Sequence, residues 1–201
     1  MKNTIIKTLT ILSLVTVSSV SFAEKTFSYD LVEAGAIRFN IKPAGRTFNY
    51  DGYFVSGAKE VSDNVHIFAS YADTDNASMN LNLKTFGAGL HHSISEDTDV
   101  VFDLSRVNYS LSNDNLDLAT SGNFNAAELG LRHRLSDDLE ITTSFTKWAM
   151  DATPISYSGL GIGAIKKINN DVSVRFDYKN LKISQGQEDV NPITLSIRHY
   201  Y

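Results

Sequence analysis

Apolar and polar residues alternate one by one along much of this chain, most cleanly in its second half. Leu129, Leu131 and Leu135 share one face with His133, while Glu128, Gly130, Arg132 and Arg134 share the other. Val172, Val174, Phe176 and Tyr178 oppose Ser173, Arg175, Asp177 and Lys179 in the same way. Leu160, Ile162 and Ala164 oppose Gly159, Gly161 and Gly163, and Leu139, Ile141 and Phe145 oppose Glu140, Thr142 and Ser144. Successive strand side chains point to opposite faces, so each stretch reads as a β-strand with one greasy and one polar side. Ten such strands are expected, near 28–41, 50–61, 64–72, 80–93, 99–111, 123–135, 138–150, 155–167, 171–182 and 192–201, with eight as the alternative count.

The strands are punctuated regularly. VSDN (61–64), ISED (94–97), LSDD (135–138) and INND (168–171) each place an apolar residue before side chains that favour turn backbones. Longer polar stretches fall between them, near 42–49, 73–78, 112–123, 151–154 and 184–191, and two of the three prolines, Pro43 and Pro154, lie in these. Short turns and long loops thus alternate, which in an antiparallel up-and-down sheet puts all short turns at one end. An even strand count brings both termini to that same end.

Alternation alone does not say which solvent the apolar faces meet. The polar faces decide it: they carry glycine and both charge signs at mid-strand, as in Glu128 with Arg132 and Arg175 with Asp177. Small residues and opposite charges suit a narrow interior in which acids and bases neutralise one another. The expected fold is therefore all-β, an antiparallel up-and-down transmembrane β-barrel. Its apolar faces turn outward, and Glu33, Asp103, Glu128, Arg132, Arg175, Asp177 and Arg198 form a charge network in a filled lumen. Strands of about ten residues are long enough to cross a bilayer when tilted, and a closed barrel pairs every backbone group there. Tyr50, Tyr53, Tyr71, Tyr109, Trp148, Tyr157 and Tyr178 lie toward the long-loop ends and Tyr200 and Tyr201 at the other end, the positions of interfacial girdles.

The first strand fits badly. Phe27, Tyr29, Leu31, Ile37, Phe39 and Ile41 share one phase, but Glu33 and Gly35 interrupt it and Val32, Ala34 and Ala36 lie opposite, so the phase of this strand stays open, and a bulge could shift it. Arg106 and Lys147 fall on lipid-facing positions, a mild cost only near an interface.

The N-terminus sets the compartment. Lys2 and Lys7 precede an apolar run around Ile11–Val17, and Ser21 and Ala23 are spaced for cleavage, so residues 1–23 read as a secretory signal peptide and 24–201 as the barrel domain. Without Lys2 and Lys7, the 18 basic residues become 16 against 23 acidic ones, and the formal net charge moves from −5 to −7. Nucleic acid is therefore an unsuitable partner. There is no cysteine, so no disulfide contributes to stability.

FSYDLVEAG after the signal peptide, VSDNVHIFASYAD, FGAGLHHSISEDTDV and the terminal aromatic together resemble a family of small proteobacterial outer-membrane β-barrels. That resemblance implies residence in the cell outer membrane of a Gram-negative bacterium. It also implies insertion by the outer-membrane assembly machinery, which reads a last strand of alternating apolar residues with a terminal Phe or Tyr. Ile193, Leu195, Ile197 and Tyr201 match that signal, and His199 departs from it.

Other chemistry is sparse. His66, His91, His92, His133 and His199 show no recognised metal-ligand spacing, and Gly159, Gly161 and Gly163 lack the strand-to-helix context of a phosphate loop. No catalytic residue, metal or cofactor is expected. His91 and Ser93 form an H-x-S pair similar to that of lipid A deacylases, with Glu96 or Glu128 available as orienting acid. The expected role is structural or surface-interacting, for a monomer in outer-membrane lipid with a possible ligand at its long loops. The alternatives are a narrow passive channel, a lipid A-modifying hydrolase and a soluble periplasmic ligand-binding barrel.

Overall fold

The computed structural model describes residues 27–42, 46–113, 118–151, 153–184 and 188–201, and the predicted signal peptide lies outside them. Ten antiparallel strands follow in chain order: β1 (Leu31–Lys42), β2 (Phe48–Ser62), β3 (Val65–Asn76), β4 (Met79–Ser95), β5 (Thr98–Asn113), β6 (Leu118–Ser136), β7 (Leu139–Met150), β8 (Ser156–Lys167), β9 (Val172–Ile183) and β10 (Asp189–Tyr200). Each pairs with its sequence neighbours, and β1 pairs with β10 to close the barrel. Closure leaves no sheet edge.

The two surfaces of the wall are chemically opposite. Val55, Ile67, Leu104, Leu129, Phe145, Leu160, Phe176, Leu195 and Ile197 project outward and are exposed, Leu160 to 70%. Glu33, Arg132, Glu140, Ser196 and Arg198 on the inner surface are all buried. The four turn motifs extend the outer belt, since Val61, Ile94, Leu135 and Ile168 all project outward at the short-turn rim. In three of these turns a β-bulge lies beside that apolar residue, between Glu60 and Ser62, Ser93 and Ser95, and Arg134 and Ser136.

One open point is settled and two expectations are corrected. β1 holds one unbroken register with β10 from Leu31 to Lys42 and with β2 from Leu31 to Ile41, so it has no bulge. Its richer apolar phase instead points inward, burying Leu31 and Phe39 with Glu33, while Val32 on the opposite phase is exposed. The charge of Glu33 settles the phase, because Arg198 waits for it inside the adjoining strand.

Two expected long loops are strand. Asn76 pairs with Met79 across a tight turn at 77–78, where Asn76 Oδ1 accepts from the backbone N–H of Ser78 and Met79, both at 3.1 Å. β5 and β6 run on to an Asn113–Leu118 pair, so most of the polar stretch at 112–123 is paired backbone. Polar composition marks both as loops, yet a hairpin that is wet on its outer side can be built of polar strand.

The aromatic girdle is also divided. Tyr53 and Tyr201 are exposed, but Tyr50 belongs to a buried cluster in the lumen with Phe39, Leu181 and Val190, and the half-buried Trp148 and Tyr157 pack against it. Strand parity accounts for this: two steps beyond Ser144 the polar phase reaches Thr146, and two further it reaches Trp148.

Candidate functional site: the barrel lumen

At the short-turn end the segment before β1 folds into the barrel mouth, leaving Phe27 and Tyr29 buried. The Tyr29 ring stacks on His66 with centroids 5.0 Å apart and meets His91 edge-on at 3.8 Å. Its hydroxyl donates to Asp99 Oδ2 at 2.9 Å. The Arg132 guanidinium lies 4.7 Å from the Phe27 ring and 5.0 Å from that of Tyr29, and Nη2 donates to Glu140 Oε2 at 2.8 Å. A cation over aromatic faces, tied to a buried carboxylate, fastens this segment in place. The sequence pattern assigned Phe27 and Tyr29 to a strand face, and nothing in alternation distinguishes a strand residue from one that plugs the mouth.

The middle of the lumen is a layer of ion pairs. Glu33 Oε2 sits 2.9 Å from Arg198 Nη2 and 3.5 Å from Arg175 Nη1, and Glu33 also accepts from Ser196 Oγ. Arg175 Nη2 donates to Asp177 Oδ1 at 3.0 Å, so one guanidinium bridges two acids. Glu128 accepts from Lys179 and, at 2.7 Å, from Thr146 Oγ1. Asp103 faces His66 Nε2 at 3.0 Å. The pairing of Glu128 with Arg132 expected from their spacing does not form the layer: Arg132 serves Glu140 lower down, and Lys179 from β9 reaches Glu128. Residues four apart on one strand share a face but stand far apart along it, whereas the neighbouring strands lie about 4.8 Å away.

Glycine makes room for this layer. A Cβ on Gly89 would run into the Asp103 carboxylate and the His66 ring, and one on Gly163 into the Asp177 carboxylate and, at 2.5 Å, Thr142 Oγ1. The acids therefore lie flat over glycine on the adjoining strand.

Above the ion pairs the lumen changes character. A cavity of about 510 Å³ is walled by Phe39, Phe54, Leu83, Val107, Phe124 and Trp148, with Asp103, Glu128, Arg175, Asp177 and Lys179 at its lower side. A second cavity of about 230 Å³ lies on the short-turn side of the same charged residues. The middle layer of the lumen is thus ion-paired side chains, whereas the long-loop half is lined largely by apolar ones around open space. The inward apolar phase of β1 was the sequence signal for it.

The His91–Ser93 pair stands at the short-turn end inside the barrel. Ser93 Oγ donates to Asp99 Oδ1 at 2.6 Å, and Glu60 Oε1 lies 3.3 Å from His91 Nε2. The acid beside His91 is therefore Glu60 rather than Glu96 or Glu128, and the serine proton is directed at a carboxylate. Among the described residues no group of three or more His, Asp or Glu is arranged to hold a metal ion.

Fold and lumen together define a closed ten-stranded β-barrel with an apolar exterior and an ion-paired interior. Among solved structures the chain is similar to Neisserial surface protein A, at 10% identity and a TM-score of 0.50, over 87% of this chain and 98% of that one. The β domain of the Bordetella autotransporter BrkA aligns at 10% identity and a TM-score of 0.48, over 87% and 100%. Ail of Yersinia pestis aligns at 12% identity and 0.41, over 86% and 99%. At such identity the likeness to the Neisserial protein speaks for the fold alone. No known family profile matches the chain, and no curated sequence does.

Proposed function

We propose that this protein is an integral outer-membrane β-barrel of a Gram-negative bacterium, exported on residues 1–23 and held as a monomer in outer-membrane lipid by residues 24–201. Its role is structural or surface-interacting, and its lumen is closed to free diffusion. The observation that carries this reading is the inversion of the usual burial pattern. Leu160, Ile197, Leu195 and Ile162 stand more than half exposed on the outer wall, while Glu33, Glu140 and Arg198 are almost wholly enclosed. In water that arrangement is unfavourable at about 25 cal/mol per Å² of apolar surface, and in hydrocarbon it is the favoured one. Ile193, Leu195 and Ile197 on the outer face of β10, followed by Tyr201, would serve as the address read by the assembly machinery.

Fractionation of cells producing the tagged full-length chain tests the reading. The protein is expected in the outer-membrane fraction, extracted only by detergent, and migrating differently on gels before and after boiling. Recovery as a soluble periplasmic monomer would remove the reading.

A further inference from the structure

We infer that the apolar chamber in the long-loop half of the lumen is a binding site for a small hydrophobic amine. This rests on the barrel reading above, and it follows from three features of the chamber.

The first is size. About 510 Å³ falls within the range of roughly 300–1,000 Å³ found for small-molecule sites. A water takes about 30 Å³ of liquid, so the space suits a molecule of on the order of fifteen non-hydrogen atoms.

The second is the lining. Phe39, Phe54, Phe124 and Trp148 reach the chamber from four different strands, with Leu83 and Val107 between them. Phe124 and Trp148 lie with centroids 5.2 Å apart. A barrel that needed only to be solid would fill this volume with side chains, as its own ion-pair layer does lower down. Space walled mainly by aromatic and aliphatic side chains favours an apolar occupant over water, which needs two to four polar partners.

The third is the charge at one end. Glu33, Asp103, Glu128 and Asp177 face the chamber, against Arg175 and Lys179. Arg175 is already shared between Glu33 and Asp177, and Lys179 is bound to Glu128. Arg198 adds a third cation behind Glu33, so the acids still outnumber the permanent cations. Asp103 and Glu128 are direct cross-strand partners and are among the more open groups of this layer, with side chains 30% and 28% exposed. A ligand ammonium set between them gains charge-assisted hydrogen bonds, and the aromatic walls attract its positive end as well. A ligand carboxylate there would meet carboxylates.

Trp148, the single tryptophan of the chain, is part of the chamber wall and reports occupancy directly. The refolded barrel in detergent is titrated with 4-phenylbutylamine, 4-phenylbutanol and 4-phenylbutyrate while Trp148 emission is followed. The amine is expected to give a saturable change, at about tenfold or more lower concentration than the other two, the discrimination of one charge-assisted hydrogen bond. Asp103→Asn with Glu128→Gln should remove that preference while leaving the alcohol unaffected. Ala126→Phe, which places a ring in the chamber wall beside Trp148, should abolish saturation by all three in a barrel that still shows the unboiled gel position. Equal response to the three probes, a response linear in probe as in micelle partition, or saturation unchanged in Ala126→Phe overturns the inference. Because the titration needs only the folded barrel, its failure is distinct from a failure of the outer-membrane location, which fractionation reads.

Discussion

Glu33 on the first strand and Arg198 on the last face one another across the seam that closes the barrel, with Arg198 Nη2 2.9 Å from Glu33 Oε2 and both side chains 5% exposed. The chain's two ends therefore meet through a buried ion pair as well as through backbone. Removing one partner strands the other charge in the lumen, at a cost of about 3–5 kcal/mol. Glu33→Gln and Arg198→Met are each expected to lower the urea midpoint of the detergent-folded barrel strongly, and the double variant by less than the sum of the two. Additive losses would mean that the seam pair is not a unit.

The outer belt makes a depth-dependent prediction. Leu160, 70% exposed, lies near the middle of β8, and Leu135, 58% exposed, lies beside the short turn that ends β6. In a bilayer Leu160→Arg should cost about 2–4 kcal/mol and Leu135→Arg about 0–1 kcal/mol. Unfolding titrations in lipid vesicles measure both. For a barrel in water the two changes would be about equally harmless, so similar midpoints for the two variants argue against a lipid-facing belt.

What the sequence showed clearly was the part governed by period-two alternation. Through their middles β6 to β10 carry Leu, Ile, Val and Phe on the outer phase and charged, hydroxyl or glycine residues on the inner one, as the pattern predicts. The pattern misled where two demands competed for one face. In β1 the apolar majority turns inward because Glu33 must reach Arg198 and because Phe39 and Ile37 line the chamber. Trp148 and Tyr157, read as interfacial, follow their strand's parity into the lumen. Pairing across strands was not legible at all: Lys179 and Glu128 are 51 residues apart, and only the register of the two intervening strands, β7 and β8, brings them together.

The ion-pair layer separates the two lumen cavities, which bears on the channel alternative. A barrel closed by Glu33, Arg175, Asp177 and Lys179 should show no discrete conductance steps in a planar bilayer. Replacing Glu33, Arg175, Asp177 and Arg198 together by serine removes two acids and two bases that pair with one another, and should open steps where the natural protein has none. Regular steps from the unaltered protein would instead favour the channel.

Tyr201 allows the proposed address function of the last strand to be separated from its structural one. Its backbone N–H donates to the Asp30 carbonyl at 3.3 Å, its hydroxyl to the Ala58 carbonyl at 3.3 Å, and Lys59 Nζ lies 5.2 Å from its ring. These contacts are exposed, and replacing the side chain removes one neutral hydrogen bond and one exposed cation–π contact, about 1–2 kcal/mol in all. Tyr201→Ala refolded in detergent should therefore keep its unboiled gel mobility and lose only a little urea resistance. In cells the same variant should fail to reach the outer membrane and be degraded, if the assembly machinery reads the terminal ring. Substituting Phe for Tyr201 keeps the ring and loses only the hydroxyl, so it should restore insertion. A Tyr201→Ala protein that inserts normally, or one whose refolded form is as defective as its cellular form, would show that the ring acts through stability alone.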